Sequence, residues 1–139
     1  MEIAFFTNSL NLHQLGLADE LYHLTGGKYM LIETQPLSEE RRKMGFVNYD
    51  RPYVLEAYAS DENQCRSYDI ARNVDVAIMG ANSFPYLETR IKKGGKLTFS
   101  FSERWLKQGI KNLLSPRLLQ QMKLYYLYGR NQPWYILCA

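Results

Sequence analysis

The chain has 139 residues, 46% hydrophobic and 22% charged, with a formal net charge of +3. That length supports one domain with a single core, and the composition excludes disordered and fibrous chains. No apolar run approaches the ~18 residues of a membrane-spanning helix. Cys65 and Cys138 form no CxxC pair, so neither a disulfide framework nor a cysteine metal site is expected, and both read as core thiols. Met1-Glu2 lacks the basic lead of a signal peptide, which makes the reducing cytoplasm the expected compartment.

The opening apolar run, Glu2 to Thr7, reads as a buried strand that ends in the polar turn Asn8-Ser9-Leu10-Asn11. A helical pattern follows from Leu12 to Gly26-Gly27, completing a first βα unit. Lys28 to Thr34 predicts a second strand, broken at Pro36, and Ser38 caps a short helix that stops at Gly45. Pro52 to Tyr58 predicts a third strand, short enough to be an edge. Ser60 caps a helix to about Asn73, with Asp61 and Glu62 favourable in its first turn. Val74 to Met79 is the best central strand, closed by Gly80-Ala81, and a helix over 83–93 stops at Gly94-Gly95. Lys96 to Phe101 is the next strand. Helical stretches at about 103–112 and 116–129, split by Ser115-Pro116, lead to a last strand over Pro133–Cys138. Strands separated by helical crossovers imply an α/β, Rossmann-like domain: a mostly parallel sheet with helices on both faces.

Charge is distributed unevenly. Residues 1–103 hold eleven Lys/Arg against fourteen Asp/Glu, whereas 104–139 hold Arg104, Lys107, Lys111, Arg117, Lys123 and Arg130 and no acid. Trp105, Tyr125, Tyr126, Tyr128, Trp134 and Tyr135 are interleaved with these cations. Two readings stand: a solvated helix face over a buried aromatic one, or a surface for an anionic partner.

Ligands of such sheets bind beyond the carboxyl ends of the strands, near the switch in strand order. That rule selects Asn8-Ser9-Leu10-Asn11 with His13, Gly80-Ala81-Asn82-Ser83 and Ser102-Glu103-Arg104. GxGxxG and GxxxxGK[ST] are both absent, which removes a dinucleotide turn and a P-loop. Asn8, Ser9 and Asn11 are neutral hydrogen-bonders suited to hydroxyl-rich or phosphate ligands, or to helix capping. His13, at the cleft mouth, can act as a base or a ligand contact. Glu103 can take a proton from an acceptor hydroxyl and Arg104 can hold a phosphate; equally, Ser102 and Glu103 can start the next helix. Gly80 is expected where the backbone approaches closely or turns tightly. The Glu39-Glu40 and Asp61-Glu62 pairs and Arg41-Arg42-Lys43 read as solvated helix surface.

With these residues in place, EIAFFTNSLNLHQLGLADELYHLTGG resembles the start of the N-terminal domain of bacterial GT-B-type glycosyltransferases of the group 1 kind. VDVAIMGANS at 74–83, GGKLTFSFSERWLKQG at 94–109 and SPRLLQQMKLYYLYGRNQPWYILCA at the end are similar to segments of members that build cell-surface polysaccharides. The resemblance implies a cytoplasmic acceptor-binding domain, peripheral at the inner membrane face, followed beyond Ala139 by a nucleotide-sugar-binding domain. It implies Glu103, or else His13, as general base, and an acceptor site built from Asn8, Ser9, Asn11, Gln14, Gly80, Asn82, Ser102 and Arg104. No cofactor and no metal are expected; the nucleotide sugar is substrate. The expected partners are a sugar or lipid-linked acceptor and an anionic membrane surface contacted by Arg104, Lys107, Lys111, Arg117, Lys123 and Arg130, with no nucleic acid. The family's glycine pair after the first strand is replaced here by Asn8-Ser9, which puts a donor-phosphate contact there in doubt. The alternative is a stand-alone Rossmann-like module that holds an anionic partner on its 104–130 surface.

Overall fold

A computed structural model describes residues 1–102 and 115–138; Glu103, Arg104, Lys107, Lys111 and the helix expected at 103–112 lie outside them. The side chains of Ser102 and Cys138 also lie outside. The elements are β1 (Ile3–Thr7), α1 (Leu12–Leu24), β2 (Tyr29–Glu33), α2 (Glu39–Lys43), β3 (Val54–Glu56), α3 (Asp61–Asn73), β4 (Val76–Met79), α4 (Phe84–Lys93), β5 (Leu97–Ser102), α5 (Pro116–Leu124) and β6 (Trp134–Cys138).

The six strands form one sheet in the order β3-β2-β1-β4-β5-β6, and every neighbouring pair is parallel. The fold is Rossmann-like α/β. The chain reverses its direction of travel across the sheet between β1 and β4, so the switch point lies there. Alternate side chains of each strand feed two cores. On one face Ala4, Phe6, Ala77 and Met79 pack with Leu87 and Ile91 of α4 and with Leu124 of α5. On the other, Phe5, Tyr29 and Leu31 pack with Leu15, Ala18 and Tyr22 of α1.

Local chemistry sets the boundaries. Asn11, Ser38, Ser60 and Ser115 each accept a backbone N–H of the following first turn, starting α1, α2, α3 and α5. β3 is an edge, shorter than the run 52–58: regular pairing covers three residues, flanked by single bonds from Leu31 N to Tyr53 O and from Ala57 N to Glu33 O. The helix expected over 116–129 stays α-helical only to Leu124, then widens into a π-helical turn, Tyr125–Gly129. That widening sets Gly129 against the Trp134 ring, where a Cβ would collide. Cys65 corrects the sequence reading: it is a free, exposed thiol on α3, because its turn presents Ser67 and Ala71 to the interior instead.

Among the described residues no helix is long and apolar enough to cross a membrane.

Candidate functional site

The carboxyl edge of the sheet concentrates buried polar side chains. Thr7, Ser9, Glu33, Ser83 and Ser100 are all buried there, at the ends of β1, β2, β4 and β5 or in the turns that follow them. Burial of so many polar groups requires partners, and most of those partners fix the loops at the switch point.

Glu33 is the principal tie. Its Oε1 accepts the Leu10 N–H at 2.7 Å, and its Oε2 faces the Tyr58 hydroxyl at 3.4 Å. A carboxylate at the end of β2 therefore holds the turn that follows β1. Burial pushes its pKa up; the Leu10 N–H opposes the shift and the nearby Glu56 charge adds to it. Asn8 folds the start of the same turn, with its Oδ1 accepting the Ser9 N–H at 2.9 Å. Asn11 accepts the Gln14 N–H at 3.1 Å and so caps α1. Gln14 Oε1 is buried and has no partner among the described residues. His13 is exposed on the first turn of α1.

The turn after β4 is built around Gly80. Its N–H donates to Phe6 O at 2.7 Å, extending the β1–β4 ladder by one bond. A Cβ here would stand 3.0 Å from that carbonyl oxygen and 3.1 Å from the Phe5 ring, so the close approach read from the sequence is present. Asn82 sits at φ 57°, in the left-handed region that asparagine tolerates. Its Nδ2 donates to Gln35 Oε1 at 3.0 Å, so the turns after β2 and β4 join across the end of β1. Ser83 donates to Gly80 O at 2.7 Å rather than capping α4. In the first turn of α4 the Tyr86 and Leu87 amides bond the Ser83 carbonyl at 3.1 and 3.0 Å, and Pro85 has no N–H.

Beside this turn a cleft of about 350 Å³ opens between β4, β5 and α5. Asn82, Ser83, Ser100, Arg117, Gln120 and Gln121 supply its polar wall, and Phe84, Pro85, Leu87 and Phe101 supply its apolar wall. Ser100 Oγ accepts the Trp134 indole N–H at 2.8 Å, which fixes the floor. Amides and hydroxyls both donate and accept, and Arg117 adds one cation, a set that suits a hydroxyl-rich ligand carrying an anionic group.

Of the residues picked from the sequence, Gly80 and Asn82 line this cleft. Asn8, Ser9, Asn11, Gln14 and His13 belong to the neighbouring β1–α1 turn and do not. No acid lines the cleft among the described residues. Sequence reasoning missed Glu33, Gln35, Ser100 and Gln121, and assigned Arg117 only to the basic surface. A groove of about 420 Å³ at the opposite edge, with Lys28, Arg66 and Asp69 at its rim, faces the amino ends of β1 and β2, the end that open α/β sheets do not use for ligands. No known family, curated protein or solved structure matches this chain.

Proposed function

We propose that this chain is the acceptor-binding domain of a GT-B-type glycosyltransferase of the group 1 kind. It would act in the cytoplasm, peripheral at the inner membrane face, and build a cell-surface polysaccharide or a lipid-linked saccharide. The observation that carries the reading is the cleft at the switch-point edge, with its amide and hydroxyl wall, the Arg117 guanidinium and its aromatic side. The segments quoted from the sequence support it independently.

In this reading Asn82 and Gln121 hold acceptor hydroxyls, and Arg117 holds an anionic group on the acceptor. The acceptor oxygen attacks the anomeric carbon of the nucleotide sugar. The bond from that carbon to the diphosphate oxygen breaks, and the nucleoside diphosphate leaves with its electron pair. Glu103, the residue after β5, takes the hydroxyl proton; His13, the other base candidate, stands outside the cleft. The donor is held mainly by a following domain. The ties from Glu33 to Leu10 and from Asn82 to Gln35 position the edge before substrate arrives.

The test is transfer of labelled sugar from a panel of nucleotide sugars by the intact gene product. Transfer from one of them, reduced about tenfold or more in Arg117→Ala on the loss of one charge-assisted contact, is the expected outcome. Absence of transfer from every nucleotide sugar overturns the reading.

A further inference from the structure

Helix α1 is apolar on both sides. Leu15, Ala18, Leu21 and Tyr22 pack into the core beneath it. Leu12, Leu17 and Leu24 point the other way and are 67%, 57% and 80% exposed. A surface helix ordinarily turns polar residues to solvent, and one that is apolar all round is covered. The orientation of α1 is fixed, because Asp19 accepts the Tyr53 hydroxyl at 2.6 Å and pairs with Arg51 at 3.2 Å. His13, Gly16, Leu17 and Glu20 share the outward face at helical spacing, and all four are exposed. Glu20 has no ion-pair partner among the described residues. A Cβ at Gly16 would meet nothing within 4 Å. The fold of a single copy therefore gives no reason for a glycine inside this helix, where it costs stability.

We propose that two copies of the chain associate through this face, with their α1 helices antiparallel about a two-fold axis between positions 16 and 17. A two-fold contact needs a self-complementary surface, in which one residue meets a second and the second meets the first. The antiparallel register sets His13 of each copy against Glu20 of the other, and Leu17 of each against Gly16 of the other. The imidazole N–H donates to the carboxylate, once on each side of the axis. Leu17 enters the gap left at Gly16, which makes the glycine the point of close helix approach. Leu12 and Leu24, at opposite ends of the helix, cover one another. α1 carries Asp19 and Glu20 and no lysine or arginine, so an anionic bilayer or a nucleic acid is repelled from it. A pair of 13-residue helices is a small interface, so the dimer forms reversibly with concentration. Association of this kind is independent of sugar transfer.

The experiment is sedimentation velocity of the full chain from about 1 to about 200 μM. A monomer at the low end that becomes a dimer at the high end is expected. Gly16→Leu should weaken association about tenfold or more by filling the gap, while thermal unfolding measured at the low end stays unchanged or rises. Leu17→Lys, at a side chain already exposed, should weaken association by as much. Glu20→Lys should weaken it about fivefold, since both pairs are lost at once, and His13→Glu combined with Glu20→Lys should restore it. A monomer throughout the range overturns the proposal. So does a dimer indifferent to Gly16→Leu and Leu17→Lys, or one dispersed instead by Leu119→Ser on α5. A double variant that associates no better than Glu20→Lys alone overturns the two-fold pairing.

Discussion

Arg90 is 2% exposed, and among the described residues no carboxylate bonds it, although the nearby Asp75 charge favours its ionised form. Its guanidinium donates instead to Thr98 Oγ1 at 2.7 Å and to the carbonyls of Ala71, Val74, Asp75 and Leu97 at 2.8–3.2 Å. Burial pushes its pKa down to about 10, which still leaves it charged at neutral pH. One side chain thus joins the end of α3 to the starts of β4 and β5. Arg90→Met should lower the urea-unfolding free energy by about 3 kcal/mol or more, because it orphans several buried carbonyls. Glu33 at the opposite edge behaves differently, since its charge is disfavoured by the fold. Its pKa is raised above the usual carboxyl value, so between those two pH values the folded chain binds more protons than the unfolded one. Stability contributed by Glu33 is therefore present at low pH and falls as pH rises through the folded pKa. Glu33→Gln should remove that component from a stability–pH curve measured by denaturant unfolding; an unaltered curve would contradict the burial argument. Both residues had a signal in the sequence. Arg90 falls three residues after Leu87 and one before Ile91, on the inward face of its helix. Glu33 closes the run Tyr-Met-Leu-Ile, where a strand buried on both faces has no solvent side for an acid.

At the scale of elements, the caps and glycines were legible because each has a local cause. Ser38, Ser60 and Ser115 cap the helices they precede, and Gly94 closes α4 at φ 78°. The π-helical turn was not legible, because what sets it is tertiary: Gly129 must lie on the Trp134 ring, and Gln132 Nε2 bonds Ile91 O and Tyr128 O at 2.8 and 2.7 Å. Gly129→Ala should destabilise the domain by about 1–3 kcal/mol through overpacking, read as a lower midpoint in thermal or urea unfolding. The same distance from local pattern explains the partial view of the site. The rule that ligands meet strand carboxyl ends led to Gly80 and Asn82. Arg117 and Gln121 reach the same cleft from a helix nearly forty positions later in the sequence, and no local pattern reports that approach.

For the whole molecule, the order of strands and crossovers was readable because hydrophobic runs alternate with capped helices, and a right-handed parallel topology follows. Strand order was not readable, and it is strand order that places β1 beside β4 and so makes the edge in front of them the candidate site. The tyrosine inventory gives a global test. Burial raises the phenols of Tyr29, Tyr58 and Tyr86 above the ordinary value, and Tyr53 to about 12. Above pH 10 the unfolded chain loses protons that the folded chain keeps, so stability falls as pH rises. Alkaline titration should show a delayed tyrosinate absorbance that appears together with unfolding. The central claim, that the switch-point cleft takes a sugar ligand, is tested most directly by backbone amide shift mapping during titration with methyl glycosides and sugar 1-phosphates. The account predicts shifts clustered at Gly80, Asn82, Ser83, Ser100, Arg117 and Gln121. Shifts confined to Lys28, Arg66 and Asp69 at the amino edge, or none at any concentration, would contradict it.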